Sequence, residues 1–357
     1  MNRHIIAKIE GLLLGVAVGD AIGLPTEGMS PTKIKKLGWA EDLKHRFFFG
    51  CGMWSDDTEQ TIMIAQALIH SEGDIESFTR SFAWELRWWI LGIPAATGFA
   101  TARAGLKLWL GFSPRKSGVW SAGNGAAMRT APIAAYFPDN PIKRKAFSEA
   151  QARLTHTDPK ATIATTAITE LTALFLSSQT LPSGSEVFRL LTTISEDPEW
   201  LQIIANIKEC FTKQQDLENL LQRLGANPGK GISGYVYQTF PCVILAGLRN
   251  KWDFQSTITE LVAAGADTET TAAIAGALCG SCRGVDNIPK AWFMGLKDWP
   301  TSRKSLFSLS RALASETKIK IRAKWSPLLL ARNLVFLMIV LFHGFVRFLP
   351  LSILRKK

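Results

Sequence analysis

The chain has few cysteines for its length, and their arrangement excludes a disulfide framework. Five cysteines occur in 357 residues, an odd number at scattered spacings, whereas small secreted domains carry even numbers at dense spacings. Two of them form one C-x-x-C pair without the second pair that a zinc site needs. We therefore expect packed, free thiols in a reducing compartment: Cys51, Cys210, Cys242, Cys279 and Cys282.

Acidic residues are almost absent from residues 301–357. This segment holds 12 Lys and Arg against a single acid, Glu316, so it carries the whole net charge of +11. Residues 1–300 hold the other 29 basic and the other 29 acidic residues and are neutral overall. A nucleic-acid-binding domain would carry a basic surface of its own, so no nucleic-acid partner is expected.

Strand-like alternation of apolar and polar residues is rare, and internal repeats and low-complexity tracts are missing. The apolar periodicity of residues 1–300 is that of helices, and 47% hydrophobic residues are ample for a large core. Glycines recur at four-residue spacing on one face of the first helix, which lets another backbone approach closely. This stripe consists of Gly11, Gly15, Gly19 and Gly23, and a second one of Gly276, Gly280 and Gly284. We predict one compact all-α domain over residues 1–300.

The C-terminal region divides into a basic linker, residues 301–326, and a hydrophobic, basic-flanked tail, residues 327–357. Residues 334–342 are an unbroken apolar run, and its extension to residue 354 is long enough to cross a bilayer. An arginine inside a span is costly, and Arg347 lies inside this one. Three arrangements stay open: a membrane-spanning helix, a helix at the interface with its basic flanks on anionic lipid, and a core helix docked on the body.

Two short acidic clusters carry most of the functional information. Each combines carboxylates with hydroxyls, follows a glycine-containing turn and opens an apolar helical run: Ser55-Asp56-Asp57-Thr58 and Asp267-Thr268-Glu269-Thr270. Such residues are favoured at helix N-caps and in first turns, so capping explains either cluster alone. The same groups are the hard oxygen ligands that Mg²⁺ and Ca²⁺ require. Because the design occurs twice, a shared metal site is the better interpretation.

Five segments, in the same order, resemble the motifs of the ADP-ribosylglycohydrolases, a family that includes dinitrogenase-reductase-activating, ADP-ribosylarginine and ADP-ribosylserine hydrolases. The resemblance covers about residues 8–290; any one motif is weak, but five in order are specific. The motifs are the opening helix and loop Gly11–Glu27, the first metal motif Trp54–Glu59, the substrate loop Ser121–Pro132, the histidine segment Leu154–Pro159 and the second metal motif Gly265–Thr271.

The resemblance implies a compact all-α fold with two Mg²⁺ or Mn²⁺ ions in a central cleft. Carried over by position, the metal ligands are Ser55, Asp56, Asp57, Asp267, Glu269 and Thr270. The chain departs from the family's usual Asp-Thr-Asp-Thr at Glu269, where the extra methylene moves the carboxylate by about 1.5 Å. Because Mg²⁺ demands near-ideal octahedral geometry, a changed metal preference or affinity is expected. Ala266 replaces a usual glycine and should only tighten the turn.

The resemblance also implies a substrate-binding loop. The glycines Gly123 and Gly125 allow backbone N–H groups to face the pyrophosphate of ADP-ribose, and Asn124 would bind a ribose hydroxyl, whereas turn statistics alone favour an ordinary turn. Arg129 either faces a phosphate or pairs internally. His156 is expected to hydrogen-bond ribose or phosphate, although a lone histidine at a helix start is more often structural.

The implied function is metal-dependent hydrolysis of an N- or O-glycosidic bond between ADP-ribose and an acceptor, either a protein side chain or a small molecule. Cleavage at the anomeric carbon develops oxocarbenium character, and a carboxylate near the metals can activate the attacking water. We predict Asp56 or Glu27 for this catalytic role, because Glu27 lies on a proline-containing loop that suits a mobile acid. A non-catalytic ADP-ribose-binding protein and a membrane-tethered sensor stay open as alternatives. The expected location is the cytoplasm, free or attached to the cytoplasmic face of a membrane.

Overall fold

The computed structural model describes residues 3–47, 50–315 and 327–347, and within these ranges it confirms the predicted all-α fold. The described residues form eighteen α-helices and no extended strand. The first nine helices are α1 Arg3–Gly23, α2 Pro31–Leu37, α3 Asp56–Ser71, α4 Ile75–Ile90, α5 Phe99–Trp109, α6 Pro114–Ser117, α7 Pro132–Tyr136, α8 Pro141–Arg153 and α9 Pro159–Ser177. The others are α10 Gly184–Thr192, α11 Pro198–Thr212, α12 Leu217–Arg223, α13 Val236–Arg249, α14 Phe254–Ala264, α15 Thr268–Arg283, α16 Lys290–Gly295, α17 Arg303–Ser315 and α18 Pro327–Arg347.

Helices α1 and α15 form a tightly packed antiparallel pair, and nearly all residues of both are buried. The two glycine stripes lie between them. A Cβ added to Gly15 would stand 2.1 Å from the carbonyl oxygen of Gly276, and one added to Gly23 would stand 2.2 Å from that of Thr268. The predicted close backbone approach is therefore present. Its register brings the end of α1 to the first residue of α15, where the second acidic cluster lies.

Most of the other helices pack around this pair in one main hydrophobic core. Helices α3, α9, α13 and α14 contact α15, and α3 and α17 contact α1. Most of the largest fully buried side chains are aromatic, and Trp54, Trp200, Trp252, Phe175 and Phe240 are all at most 2% exposed. The five cysteines are free thiols and four of them are buried, in agreement with the sequence.

Helix α17 belongs to this body. Leu306, Leu309 and Leu313 are buried in the main core, where α17 packs against α1 and α3. The structure differs here from the basic linker predicted over residues 301–326, because apolar residues at three- and four-residue spacing make one face of the segment fit the core. The remainder of that linker, residues 316–326, lies outside the described residues.

Helix α18 docks on the body by one face only. Phe336 and Ile339 are buried in a small cluster with Leu24 and Phe47. From Leu328 to Phe345 the helix has a mean hydropathy of 2.0 and is long and apolar enough to cross a bilayer, although 17% of that window is buried against the body. Its opposite face exposes six large apolar side chains, namely Leu334, Val335, Met338, Leu341, Phe342 and Phe345. Residues 348–357 of the predicted tail lie outside the described residues.

Candidate active site

The two acidic clusters open two neighbouring helices. Asp56 and Asp57 begin α3, and Asp267 is the N-cap residue of α15. The hydroxyl of Thr270 lies 3.4 Å from Oδ1 of Asp57. Burial is the largest cause that raises the pKa of Asp57, and the charge of Asp267 adds to it. The two clusters are far apart in the sequence and lie next to each other in the fold.

Two carboxylates from the end of α1 and the turn after it hold the two helix starts. Asp20 accepts hydrogen bonds from the backbone N–H groups of Ser55 at 2.9 Å and Thr58 at 3.2 Å. Glu27 accepts from the backbone N–H groups of Thr268 at 2.8 Å and Glu269 at 3.3 Å. Each acid satisfies N–H groups that the first turn of a helix leaves without partners. One segment of chain thus fixes the position of both acidic clusters.

Helix capping explains only some of the carboxylate and hydroxyl groups in the two clusters. Oγ of Ser55 accepts from the N–H of Asp57 at 3.3 Å, but the side chain of Asp267 makes no capping hydrogen bond. Oδ2 of Asp57 and Oε2 of Glu269 are buried without a hydrogen-bond partner. Because buried polar atoms are nearly always paired in native proteins, these oxygens indicate a ligand, and a cation would satisfy them.

The carboxylates of the site also raise one another's pKa. Burial is the largest cause at Asp56, Asp57 and Glu269, and repulsion between neighbouring acids adds to it. Burial likewise raises the pKa of Asp20 to about 6, in spite of the hydrogen bonds that it accepts. A divalent cation would favour the ionised forms and remove this repulsion. Carboxylate and hydroxyl oxygens are the ligands that Mg²⁺ and Mn²⁺ take, so the residues fit such a metal in kind.

The candidate ligand side chains lie near one another, but they are not arranged around a common centre. Within residues 3–47, 50–315 and 327–347, no three acidic, histidine or cysteine side chains are arranged to hold an ion as they stand. Metal binding would therefore require some of these side chains to rotate toward a common centre. The longer side chain of Glu269 is 6% exposed, so the extra methylene is accommodated inside the protein.

The turn before the second cluster is more strained than the sequence suggested. Gly265 and Ala266 have φ angles of +73° and +64°, a region that costs a residue with a Cβ roughly 1–2 kcal/mol. The expectation that alanine would only tighten this turn is therefore incomplete. Two backbone hydrogen bonds hold the turn, from Gly28 N to Ala266 O at 2.9 Å and from Ala266 N to Met29 O at 2.8 Å. They join it to the loop that carries Glu27.

The predicted substrate loop lies beside the second acidic cluster. The side-chain nitrogen of Asn124 donates to Oδ2 of Asp267 at 2.7 Å and to the hydroxyl of Thr239 at 2.9 Å. Its backbone N–H donates to the carbonyl of Gly234 at 3.0 Å. The amide nitrogen of Asn124 thus orients Asp267, and a contact to a ribose hydroxyl would have to use the amide oxygen.

His156 lies against both glycines of this loop. A Cβ on Gly123 would stand 3.2 Å from Nε2 of His156, and one on Gly125 would stand 3.1 Å from Cε1. Nδ1 of the imidazole is 2.8 Å from the hydroxyl of Thr155. Burial, and then repulsion from Arg129, lower the pKa of His156 to about 3. The imidazole is therefore neutral near pH 7, and its Nε2 side faces the predicted substrate loop.

Arg129 is an internal residue. It is 0% exposed, and it donates to the side chains of Gln151 at 2.8 Å, Thr155 at 2.6 Å and Gln60. Gln60 in turn donates to Oδ2 of Asp56 at 2.8 Å. The predicted contact of Arg129 with substrate does not hold here, because every guanidinium nitrogen is buried and used; the internal alternative is realised, as a network that supports Asp56.

Two residues of the site were not predicted as functional from the sequence. Asp20 is a charged residue inside the apolar run of α1, and a buried carboxylate of this kind requires hydrogen-bond partners. That signal could have identified it. Gln60 gives no such signal, because it is an ordinary helical residue and the partner that makes it part of the network, Arg129, comes from elsewhere in the chain.

Comparisons with known proteins agree with the family that the motifs resemble. A family model described as ADP-ribosylglycohydrolase matches residues 1–322. An uncharacterized protein of Archaeoglobus fulgidus is 30% identical over 300 residues, which are 82% of this chain and 92% of that protein. The ADP-ribosyl-(dinitrogen reductase) glycohydrolase of Rhodospirillum rubrum is 28% identical, with 80% and 89% covered.

Two further likenesses extend the comparison. The ADP-ribosylarginine hydrolase Tri1 of Serratia proteamaculans is 25% identical over 298 residues, with 80% of this chain and 74% of that protein covered. A solved structure described as an ADP-ribosylglycohydrolase-related protein complex has a TM-score of 0.66 at 24% identity, and the match covers 88% of this chain and 99% of that one. The structural likeness supports the fold.

Proposed function

Since this chain belongs to the ADP-ribosylglycohydrolase family and is thereby a glycosyl hydrolase, we propose that it releases ADP-ribose from an acceptor in a metal-dependent reaction. The observation that carries the metal dependence is the pair of buried carboxylate oxygens, on Asp57 and Glu269, that have no hydrogen-bond partner. They lie where the N-termini of α3 and α15 meet. A buried, negatively charged set of hard oxygens suits a divalent cation.

The side chains that would hold two Mg²⁺ or Mn²⁺ ions are those of Ser55, Asp56, Asp57, Asp267, Glu269 and Thr270. A bound metal would supply positive charge beside the ribose and would lower the pKa of a nearby water. Asp20 and Glu27 keep the two helix starts in register, and Asn124 orients Asp267. The neutral His156 and the glycine loop next to it bind the ADP-ribose moiety.

The chain's own residues carry the proton transfer. The reaction breaks the bond between the anomeric carbon and the acceptor atom, and the oxygen of water bonds to that carbon. One proton of the water passes to a base, and the base passes a proton on to the departing acceptor. Asp56 is 5% exposed and its Oδ2 accepts from Gln60, whereas Glu27 is only half-buried. Glu27 therefore reaches incoming water better, and we assign the role of base to it and the role of ligand to Asp56.

The substrates of this family are ADP-ribosylated molecules, and the names of two relatives, an ADP-ribosylarginine hydrolase and a dinitrogen reductase glycohydrolase, favour protein-linked ADP-ribose. The alternative of a non-catalytic ADP-ribose-binding protein is not favoured. Both acidic clusters keep their carboxylates and hydroxyls, and a protein that only binds ADP-ribose has no need of buried carboxylates that repel one another.

We further propose that the exposed face of α18 rests on the surface of an anionic membrane, with the body on the cytoplasmic side. Its six apolar side chains form a continuous stripe at helical spacing, and basic residues lie on both sides of the helix in the sequence. A spanning helix is less favourable, because it would have to pull the buried Arg332 away from Glu59 and Asp298 of the body.

The hydrolase proposal is tested by ADP-ribose release from arginine-linked and serine-linked ADP-ribosylated peptides, with the full chain in Mg²⁺, Mn²⁺ or EDTA. We expect release only with metal. Asp57→Asn and Asp267→Asn should lose about 100-fold or more in rate, since the loss of even an outer-shell partner typically costs 10–100-fold. Their melting temperatures in EDTA should not fall, because each variant removes a repelling charge.

The matched control for these variants is Asp139→Asn, which removes an exposed carboxylate outside the site and should keep full activity. Turnover that persists in EDTA, or in Asp267→Asn, would contradict the metal dependence. The preferred peptide would identify the acceptor linkage.

A further inference from the structure

The C-terminal helix α18 inserts one charged side chain into the body beside the active site. Arg332 is 2% exposed. Its Nη1 lies 3.0 Å from Oε1 of Glu59, and its Nη2 lies 2.6 Å from Oδ2 of Asp298. Its Nε donates to Oδ1 of Asp298 at 3.0 Å, and its Nη2 also donates to the carbonyl oxygen of Trp54 at 2.6 Å. All three nitrogens of the guanidinium are therefore used.

These partners surround the first acidic cluster. Trp54 immediately precedes Ser55, and its N–H donates to Oδ2 of Asp298 at 3.1 Å. Glu59 lies on the first turn of α3, where its backbone N–H faces the carbonyl of Ser55 at 3.4 Å. Arg332 thus binds the carbonyl oxygen of Trp54, just before α3, and the carboxylate of Glu59, at the end of the first turn of α3. Asp56 and Asp57 lie between these two residues.

Asp20 holds the same turn from the opposite direction, through the N–H groups of Ser55 and Thr58. The peptide groups that precede α3 therefore have partners from three separate elements: α1, the loop after α16, and α18. Without Arg332, the buried carboxylates of Glu59 and Asp298 would lose the cation that they share, next to the segment that presents the ligands.

We propose that Arg332 is a positioning residue for the first acidic cluster, and that the C-terminal helix contributes to the active site through it. The inference rests on the proposed function in taking that cluster to be a metal site. Helix α18 begins after residue 322, where the match to the family model ends, so this chain supplies the arginine from outside the family domain. Divalent metals are sensitive to small displacements of their ligands, and Arg332 fixes the backbone from which two ligands project.

The guanidinium is required for more than its charge. A lysine would keep one positive charge but could not reach the Trp54 carbonyl, Glu59 and Asp298 together, because its three donors radiate from a single nitrogen. The docking of the helix can be tested separately from this role. Ile339, seven residues further along the helix, is buried against the body, and its apolar side chain takes no part in the hydrogen bonds of Arg332.

The test is Mn²⁺ binding to the full chain, measured by isothermal titration calorimetry without substrate, for the wild type, Arg332→Met, Arg332→Lys and Ile339→Ala. Circular dichroism and thermal unfolding check that each variant is folded. We expect Arg332→Met to bind Mn²⁺ about 10–100-fold more weakly, the range typical of outer-shell partners of a metal site. Arg332→Lys should fall in between, and Ile339→Ala, which loosens the docking alone, should bind as the wild type does.

Three results would overturn the inference. Wild-type Mn²⁺ affinity in folded Arg332→Met or Arg332→Lys would show that the arginine only anchors the helix. Equal weakening in Ile339→Ala would assign the effect to docking in general. If the wild type itself binds no Mn²⁺, the metal premise fails and this inference fails with it, an outcome distinct from the first two. Should Arg332→Met not fold, Arg332→Lys decides the question.

Discussion

Asp20 and Glu27 show how single residues outside the acidic clusters decide what the clusters can do. Each accepts hydrogen bonds from backbone N–H groups at the start of one acidic helix. The capping work is therefore largely done by other acids, and Asp57 and Glu269 keep buried oxygens without partners. The carboxylates of the two clusters therefore repel one another. A folded protein tolerates such repulsion when a cation compensates for the negative charge.

His156 gives a prediction about pH. Its pKa is lowered to about 3 in the native state, against about 6.5 in an unfolded chain. As the pH falls below 6.5, the unfolded chain takes up a proton that the native state does not, so stability is lost on the way down toward pH 3. Between pH 6.5 and 5 the loss amounts to about 2 kcal/mol at 1.36 kcal/mol per pH unit. Urea unfolding at pH 7 and pH 5 should show this extra loss in the wild type and not in His156→Gln.

The comparison with the variant is necessary because the acids act in the opposite direction. The pKa of Asp20 is raised to about 6, so between about pH 4 and 6 the native state holds a proton that the unfolded chain loses. Stability from Asp20 therefore falls as the pH rises through that window. An equal pH dependence in the wild type and His156→Gln would contradict a neutral, buried imidazole.

At the scale of secondary structure, the pair formed by α1 and α15 builds the site. Facing glycines let the two backbones meet, and the antiparallel register brings Glu27, in the turn after α1, to the acidic start of α15. Asp20, near the end of α1, binds the start of α3. The sequence predicted both glycine stripes. It did not predict that they pack on each other, because a stripe of small residues does not specify its partner.

Gly15→Ala tests this packing. Its Cβ would stand 2.1 Å from the carbonyl oxygen of Gly276, so the backbones must separate, and we expect a loss of about 3 kcal/mol or more in the free energy of unfolding. Gly344→Ala is the control, since it adds the same methyl group to a helix where no atom lies within 4 Å; it should be neutral or slightly stabilising. Urea unfolding measures both, and a loss below 1 kcal/mol in Gly15→Ala would contradict the close approach.

At the scale of the whole molecule, the two faces of α18 have different partners. The inner face binds the body through Arg332, Phe336 and Ile339, and the outer face is an exposed apolar stripe. We expect the double variant Met338→Glu and Phe342→Glu to reduce binding to vesicles rich in phosphatidylglycerol by at least about tenfold, since both side chains would lie in the interface. Co-sedimentation with such vesicles, and with neutral phosphatidylcholine vesicles, measures this.

The control for the vesicle experiment is Ile142→Glu, which places a charge on another exposed apolar residue away from α18 and should leave binding unchanged. Neutral vesicles should bind the wild type less than anionic ones do, because the basic flanks contribute. Unchanged binding of the double variant to anionic vesicles would contradict the proposed surface. Light scattering on the same proteins would reveal a second copy of the chain as the occupant instead.

Part of the site could be predicted from the sequence, and part could not. The residues predicted together were Ser55, Asp56, Asp57, Asp267, Glu269 and Thr270. They could be predicted because adjacent carboxylates and hydroxyls at a helix start are visible in the local sequence. The burial of Arg129, the role of Gln60 and the membership of α17 in the core were not predicted, because each depends on which distant side chains occupy the same space.

The sequence by itself determined the helical class, the neutral body, the two acidic clusters and the resemblance that names their chemistry, since periodicity, composition and short motifs are properties of neighbouring residues. Only the tertiary structure decided which acids cap and which remain unpaired, that Arg129 faces inward, and that Arg332 reaches Trp54 and Glu59 from a helix near the other end of the chain. The physical reason is that burial and pairing are set by contacts between distant segments. A carboxylate becomes a cap or a ligand site only when the fold determines what lies next to it.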